Sequence, residues 1–186
     1  MACNHTSYFD PLAHALAIVR AHRRPRFMAK QELYEGWFMR NLLTGAHQIP
    51  VPRGTGSRAP VEAAVKALRE GEVVMIYPEG TITRNPDHTP MAAKTGVARI
   101  ALMADMPVIP LAVWGSHHVF QKGGKRGLTF GRPIWVKAGA PMDFSDYVDR
   151  REDPEAFRAV TEQVMGELSR LVADLRARYP KRWASG

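Results

Sequence analysis

Cysteine is nearly missing from this sequence: Cys3 is the single one in 186 residues. A lone thiol gives no disulfide framework, which fits a reducing compartment. Long apolar runs are missing as well. The best candidate, Val97 to Gly115, is interrupted by Arg99 and Asp105 and falls short of a bilayer span. It reads instead as a helix followed by a buried strand. No charged n-region followed by an apolar h-region marks a secretory signal. Repeats and low-complexity tracts are also lacking, and residues 1–186 read as one globular α/β domain. His117 and His118 are adjacent, but nothing nearby completes a set of four zinc ligands, so no metal is expected.

Positive charge is what the chain has in excess. A formal net charge of +8 points to an anionic partner. Basic clusters lie at Arg20, Arg23, Arg24 and Arg26, and at Lys122, Lys125 and Arg126. An anionic membrane surface, a phosphorylated small substrate and nucleic acid all qualify on charge. Nucleic acid is set aside, because the chain shows neither an aromatic stacking platform nor a recognition-helix pattern.

Patterning predicts strands and helices in alternation. Asp10-Pro11 opens a helix to about His22, with Asp10 as N-cap and Pro11 at the first helical position. A short strand follows over Arg26 to Ala29. A helix is expected from Gln31 to Leu43, with Leu33, Trp37, Phe38 and Leu42 at helical spacing. Next come a strand at His47–Val51, a helix at Arg58–Glu70 and a continuous apolar strand at Glu72–Tyr77. Beyond a polar loop, Thr95–Ala104 reads as helix and Val108–Trp114 as a buried strand. Leu128–Phe130 and Ile134–Lys137 are expected strands, and Pro154–Arg178 a long helix. Such alternation predicts an α/β layered fold with a mostly parallel central sheet flanked by helices.

Three stretches carry candidate chemistry. In Asn4-His5-Thr6-Ser7-Tyr8-Phe9-Asp10, a turn of this length brings a carboxylate against one imidazole nitrogen and leaves the other as a base. That spacing alone is weak, and a plain N-cap explains Asp10 equally well. Tyr77-Pro78-Glu79-Gly80-Thr81 follows the strongest strand, at the kind of edge where open α/β sheets bind ligands. Glu79 is either a site residue there or a surface turn residue. Ile49-Pro50-Val51-Pro52-Arg53-Gly54 delivers an arginine beside glycines at another strand end. Lys30, Arg84 and Lys94 add cations of the kind a phosphate-bearing substrate needs.

In this order and spacing the stretches resemble the lysophospholipid and glycerol-phosphate acyltransferase family. Its Asn-His-x-x-x-x-Asp motif is matched by Asn4, His5 and Asp10. A strand ending in arginine and glycine is matched by Ile49 to Gly54. An aromatic residue before Pro-Glu-Gly-Thr is matched by Tyr77 to Thr81, and a proline-containing apolar strand by Val108 to Leu111. The resemblance runs from residue 4 to about residue 140, with the helix over 154–178 beyond it. It implies single-displacement acyl transfer from acyl-CoA or an acyl carrier protein to a lysophospholipid hydroxyl, without a cofactor. By this resemblance His5 is the general base and Asp10 its orienting partner. Ser7 is not an acylated nucleophile. Arg53 holds the acceptor phosphate with help from Lys30, and Glu79, Gly80, Thr81 and Arg84 shape the acceptor site. The expected place of work is the cytoplasmic face of the cell membrane, in a peripheral or monotopic mode. Arg20–Arg26 and the aromatic set Tyr34, Trp37, Phe38 and Met39 are the expected lipid contacts.

Two features depart from the family pattern. Ile82 stands where the family places an arginine, with Arg84 two residues on. The chain also begins only four residues before His5, where the family has helices and a buried strand. The expectation is a chain with its N-terminal part missing, in which Met1–Cys3 is too short for a full central strand. The competing readings are an acyltransferase for a lyso-ornithine lipid or glycolipid acceptor, and a truncated, non-catalytic lipid-binding protein.

Overall fold

The computed structural model describes residues 1–52, 57–120 and 131–184. Its six strands are β1 (Ala2–Cys3), β2 (Pro25–Lys30), β3 (Ile49–Val51), β4 (Val73–Met75), β5 (Pro110–Trp114) and β6 (Trp135–Ala138). They form two three-stranded sheets, β3-β2-β4 and β1-β5-β6. A parallel bridge from Ala2 to Ile76 joins the sheets edge to edge. Every pairing is parallel except that of β5 with β6. The α/β, mostly parallel architecture is therefore present, and the parallel strands share one carboxyl edge.

Met1–Cys3, expected to be too short for a full central strand, nevertheless fills the central place. The Met1 amino group donates to the Val74 carbonyl at 2.6 Å, and Ile76 N–H and Cys3 N–H complete the pairing with β4. On the other side Ala2 and Cys3 register with Pro110 and Leu111. Asn4 then extends the strand with its side chain. Its amide donates to the Val113 carbonyl at 3.1 Å and accepts the Val113 N–H at 2.8 Å, with no part of the residue exposed. A carboxamide can do both because it has the donor and acceptor of a peptide group.

Side chains alternate across the sheet with period two. Cys3, Met75 and Leu111 turn to the face covered by α1 (Asp10–Arg20), where Ile18 packs against them. Ala2, Val74 and Ala112 turn the other way. There α3 (Ala59–Arg69), α4 (Gly96–Ala104) and, beyond the one-turn α5 (Ser116–Val119), α6 (Pro154–Arg178) close the core. Along α6, Val160, Val164, Leu168 and Leu171 are fully buried, and each contributes roughly 1.5–3 kcal/mol of apolar burial. Asp153 caps this helix by accepting the Glu155 N–H at 2.8 Å, with Pro154 at its start.

Two expectations need correction. The helix predicted over Gln31–Leu43 is a 3-10 turn at Gln31–Tyr34 followed by α2 (Trp37–Gly45). Gly36 lies between them with extended backbone (φ −79°, ψ 131°), so the apolar spacing on either side belongs to two elements. The second concerns Asp10, which is not the N-cap of α1. Phe9 holds that position, and no side chain caps the helix. The strand expected at Leu128–Phe130 lies outside the described residues.

Replacing Asn4 by leucine would strand the Val113 N–H and carbonyl inside the sheet. At about 1–3 kcal/mol for each of the two unsatisfied groups, Asn4→Leu is expected to lower stability by about 2–6 kcal/mol. Urea unfolding would show this as a lower midpoint with the slope unchanged.

Candidate active site

The residues singled out in the sequence come from strands that end on the same edge. His5 is separated from the end of β1 only by Asn4, and the turn Thr6–Phe9 leads into α1. Asp10, on the first turn of α1, points its carboxylate back into that turn. Its Oδ2 accepts Thr6 N–H at 2.6 Å, Ser7 N–H at 2.7 Å and sits 2.8 Å from His5 Nδ1. The carboxylate is wholly buried, whereas the His5 side chain is 15% exposed. With Nδ1 engaged by a carboxylate, the tautomer leaves Nε2 as the ring's proton acceptor. Tyr77 stacks on the imidazole at 4.3 Å between ring centroids.

Glu79 is no surface turn residue, being only 5% exposed. Its Oε1 accepts His5 N–H at 3.2 Å and its Oε2 accepts Met91 N–H at 3.0 Å. One carboxylate thus staples both ends of the 78–92 loop to the end of β1. Burial pushes the Glu79 carboxyl above its ordinary range, against the opposing pull of the Met91 and His5 amides. Thr83 N–H donates to the His5 carbonyl at 2.7 Å, adding a second tie. Gly80 takes a left-handed conformation (φ 68°), and the aliphatic stem of Lys94 lies over it. Thr81 is half-buried beside it.

The predicted cations are placed less uniformly. Lys30 ends β2, half-buried, in register with Val51 of β3. Ile82 is buried and Arg84 exposed, so the side chain in the family's arginine position faces the core. Arg84 has no ion-pair partner among the described residues. Arg53 lies outside the described residues, as does the Lys122, Lys125 and Arg126 cluster. Of the first basic cluster, Arg20, Arg23 and Arg24 are exposed, but Arg26 pairs with Glu72 at 2.5 Å.

Sequence reasoning missed three residues around the base. Ser116, just past β5, donates its hydroxyl to Asp10 Oδ1 and lies 3.0 Å from Thr6 Oγ1. Its distance from Asp10 in sequence gave no signal. His14 is buried on α1, 2.9 Å from the Tyr77 hydroxyl through Nδ1. The Tyr77 ring, noted only as part of a motif, forms one wall of the site. A further histidine group, His88, His117 and His118, stacks beside Trp114, with centroids 4.0 Å apart for His88–His117 and 4.1 Å for His117–His118. Among the described residues, no group of three or more His, Cys, Asp or Glu is arranged to hold a metal ion.

The chain was compared with known proteins. A family model described as Acyltransferase matches residues 1–114. A 1-acyl-sn-glycerol-3-phosphate acyltransferase of Bacillus subtilis (strain 168) is 31% identical over 137 residues, covering 72% of this chain and 65% of that protein. A protein of the same name from Limnanthes alba is 31% identical over 130 residues, covering 68% of this chain and 45% of the relative. The chain thus spans roughly half to two thirds of the length of these curated relatives. In structure it is similar to the crystal structure of the 1-acyl-sn-glycerophosphate (LPA) acyltransferase PlsC from Thermotoga maritima. That match has a TM-score of 0.70 at 24% identity and covers 97% of this chain and 67% of the other. At that identity the likeness speaks for the fold alone.

Burial holds His14 at about 4 and His117 at about 3, against 6.5 for an ordinary imidazole. Both are neutral in the folded chain, while the unfolded chain takes up their protons near pH 6.5. Their contribution to stability is complete above that pH and is lost progressively as the pH falls toward 4 and below. Thermal unfolding should therefore drop steeply between pH 6.5 and 4. In His117→Phe the slope of stability against pH should flatten there by up to about 1.4 kcal/mol per pH unit, one proton's worth.

Proposed function

Because the chain belongs to the acyltransferase family, we propose that it moves a fatty acyl group from acyl-CoA or acyl carrier protein to the sn-2 hydroxyl of lysophosphatidic acid. The acceptor is the one implied by the names of the relatives. The observation that carries the reading is the 2.8 Å contact of His5 Nδ1 with the buried Asp10 carboxylate at the strand-end edge. His5 Nε2 takes the proton of the acceptor hydroxyl as its oxygen attacks the thioester carbonyl. Asp10 stabilises the imidazolium that forms. Collapse of the tetrahedral intermediate breaks the carbon–sulfur bond, and the departing thiolate takes that proton from His5. No acyl-enzyme is needed. A backbone amide at the strand-end edge serves the oxyanion. Lys30, Arg53 and Arg84 are the cations proposed for the acceptor phosphate, with Gly80 and Thr81 shaping its entrance and Glu79 holding the loop in place.

A second reading keeps the chemistry and changes the acceptor to a lyso-ornithine lipid or glycolipid. One observation favours it: buried Ile82 replaces the family's arginine, and exposed Arg84 is a displaced substitute. Membrane contact is proposed through α2 and the strand of chain before it. Trp37 is 79% exposed and Phe38 68%, with Leu33 and Leu42 also open to solvent. Aromatic and aliphatic side chains so displayed suit the interfacial zone of a bilayer, beside the exposed Arg20, Arg23 and Arg24. No helix among the described residues is long and apolar enough to cross a membrane.

Thiol release from acyl-CoA should depend on added lysophosphatidic acid and fall by at least about a thousandfold in His5→Ala, since the base and the oriented imidazole are lost together. Release with a lyso-ornithine lipid but not with lysophosphatidic acid would select the second acceptor. Turnover that persists in His5→Ala would rule out the proposed base. In a separate measurement, Trp37→Ala with Phe38→Ala should weaken sedimentation with anionic vesicles by about tenfold or more while unfolding is unchanged, because both side chains are exposed.

A further inference from the structure

We propose that Ser116 is a positioning residue for the His5–Asp10 pair: it locks the Asp10 carboxylate so that one oxygen faces His5 Nδ1. The Asp10 Oδ2 receives the Thr6 and Ser7 amides and faces the imidazole. The other oxygen, Oδ1, has two contacts: the Ser116 hydroxyl, which donates to it at short range, and Thr6 Oγ1 at 3.4 Å. An aspartate χ2 torsion is broad, so a donor fixed on Oδ1 by another segment limits how far the carboxylate plane can turn from His5. Ser116 is that donor, and it is fully buried.

The backbone fixes Ser116 in turn. It follows Gly115, whose φ of 92° is left-handed and strained for any other residue. A Cβ on Gly115 would come within 2.5 Å of the Pro133 carbonyl and 2.8 Å of the Tyr179 ring. The end of β5 therefore turns sharply under β6 and the end of α6 and delivers the hydroxyl to Asp10. Parallel pairing of Cys3 with Leu111 sets the ends of β1 and β5 side by side. The hydroxyl thus reports the β5 end to a pair of residues more than 100 positions earlier.

The role in turnover rests on the acyl-transfer reading, but the geometry is testable without it. His5 is followed through its own titration by nuclear magnetic resonance, and the groups facing it are the same in each variant. These are Asp10 from α1, Glu79 on its backbone N–H, the Tyr77 ring, and His14 behind that ring. In Ser116→Ala the carboxylate is no longer held toward Nδ1, so the imidazolium loses part of its partner. The His5 midpoint should move down by about half a pH unit or more, with a smaller fall in Ser116→Cys, whose thiol keeps similar bulk but donates weakly. In acyl transfer, kcat should fall about tenfold with KM changed less than about twofold, the pattern of a misaligned base. The acid limb of kcat/KM should move downward with the midpoint. A His5 midpoint that stays within about 0.1 unit, or that rises because only a donor on Oδ1 is lost, in folded Ser116→Ala and Ser116→Cys overturns the proposal, whatever the activity. A native chain that turns over neither donor defeats the acyl-transfer reading, and the His5 titration still decides the role of Ser116.

Discussion

A carboxylate with no exposed surface needs a full set of donors, because an ionised group without them is expensive to bury. Asp10 is such a group, and its donors come from two parts of the chain: the turn that supplies the amides of Thr6 and Ser7 and the imidazole of His5, and the segment past β5 that supplies the hydroxyl of Ser116. Meeting that demand fixes the conformation of the turn after β1, the direction in which α1 leaves it, and the position of the chain past β5. Asn4 supplies the matching constraint one residue earlier, since its side chain takes both backbone groups of Val113. Together these bonds align the ends of β1 and β5 where the Ala2–Cys3 pairing alone is short.

How much of this could be read in the sequence depended on whether the determining contacts were local. The strand at Val73–Met75 and the helix at Pro154–Arg178 follow from apolar runs and spacing within one segment, and the helix limits match the residue pattern. The His5–Asp10 pair was readable for the same reason: the two are five residues apart in one turn. Asp10 before Pro11 also has the look of a helix cap, but its carboxylate turns to the amides behind it and Phe9 takes the cap position. Gly36 divides what spacing alone joins into one helix. Ser116 and His14 were invisible, because nothing near them in sequence shows that a strand register or a stacked ring will bring them to the site. Glu79 was readable as a loop residue, but its carboxylate is held by the His5 amide from another segment and by the Met91 amide from the far end of its own loop.

Charge at the site is divided by burial. Glu79 is stapled inward on two amides, and burial raises its affinity for a proton. Arg26 is neutralised by Glu72 on the neighbouring strand. Lys30, half-buried, and Arg84, exposed, are the described cations proposed for an anionic head group. Replacement of the family's arginine by buried Ile82 moves the cation two residues along a loop. The loop itself stays anchored through Thr83 and Glu79. Those two anchors are also the contacts of the His5 backbone, so the loop that carries Arg84 and the turn that carries His5 are tied to each other.

Burial accounts for the neutral histidine behind His5. The His5 ring is confined on one face by Tyr77 and at Nδ1 by Asp10, which leaves Nε2 for proton transfer. Tyr77 is itself held through its hydroxyl by His14 Nδ1. Were His14 charged, two positive rings would compete for the same buried carboxylate, and Asp10 would no longer serve His5 alone. Burial keeps His14 uncharged down to about pH 4, so the imidazole that orders the wall adds no charge beside the His5–Asp10 pair. Two histidines on one short stretch of chain thus differ in chemistry because one has a carboxylate and a window to solvent, and the other has neither.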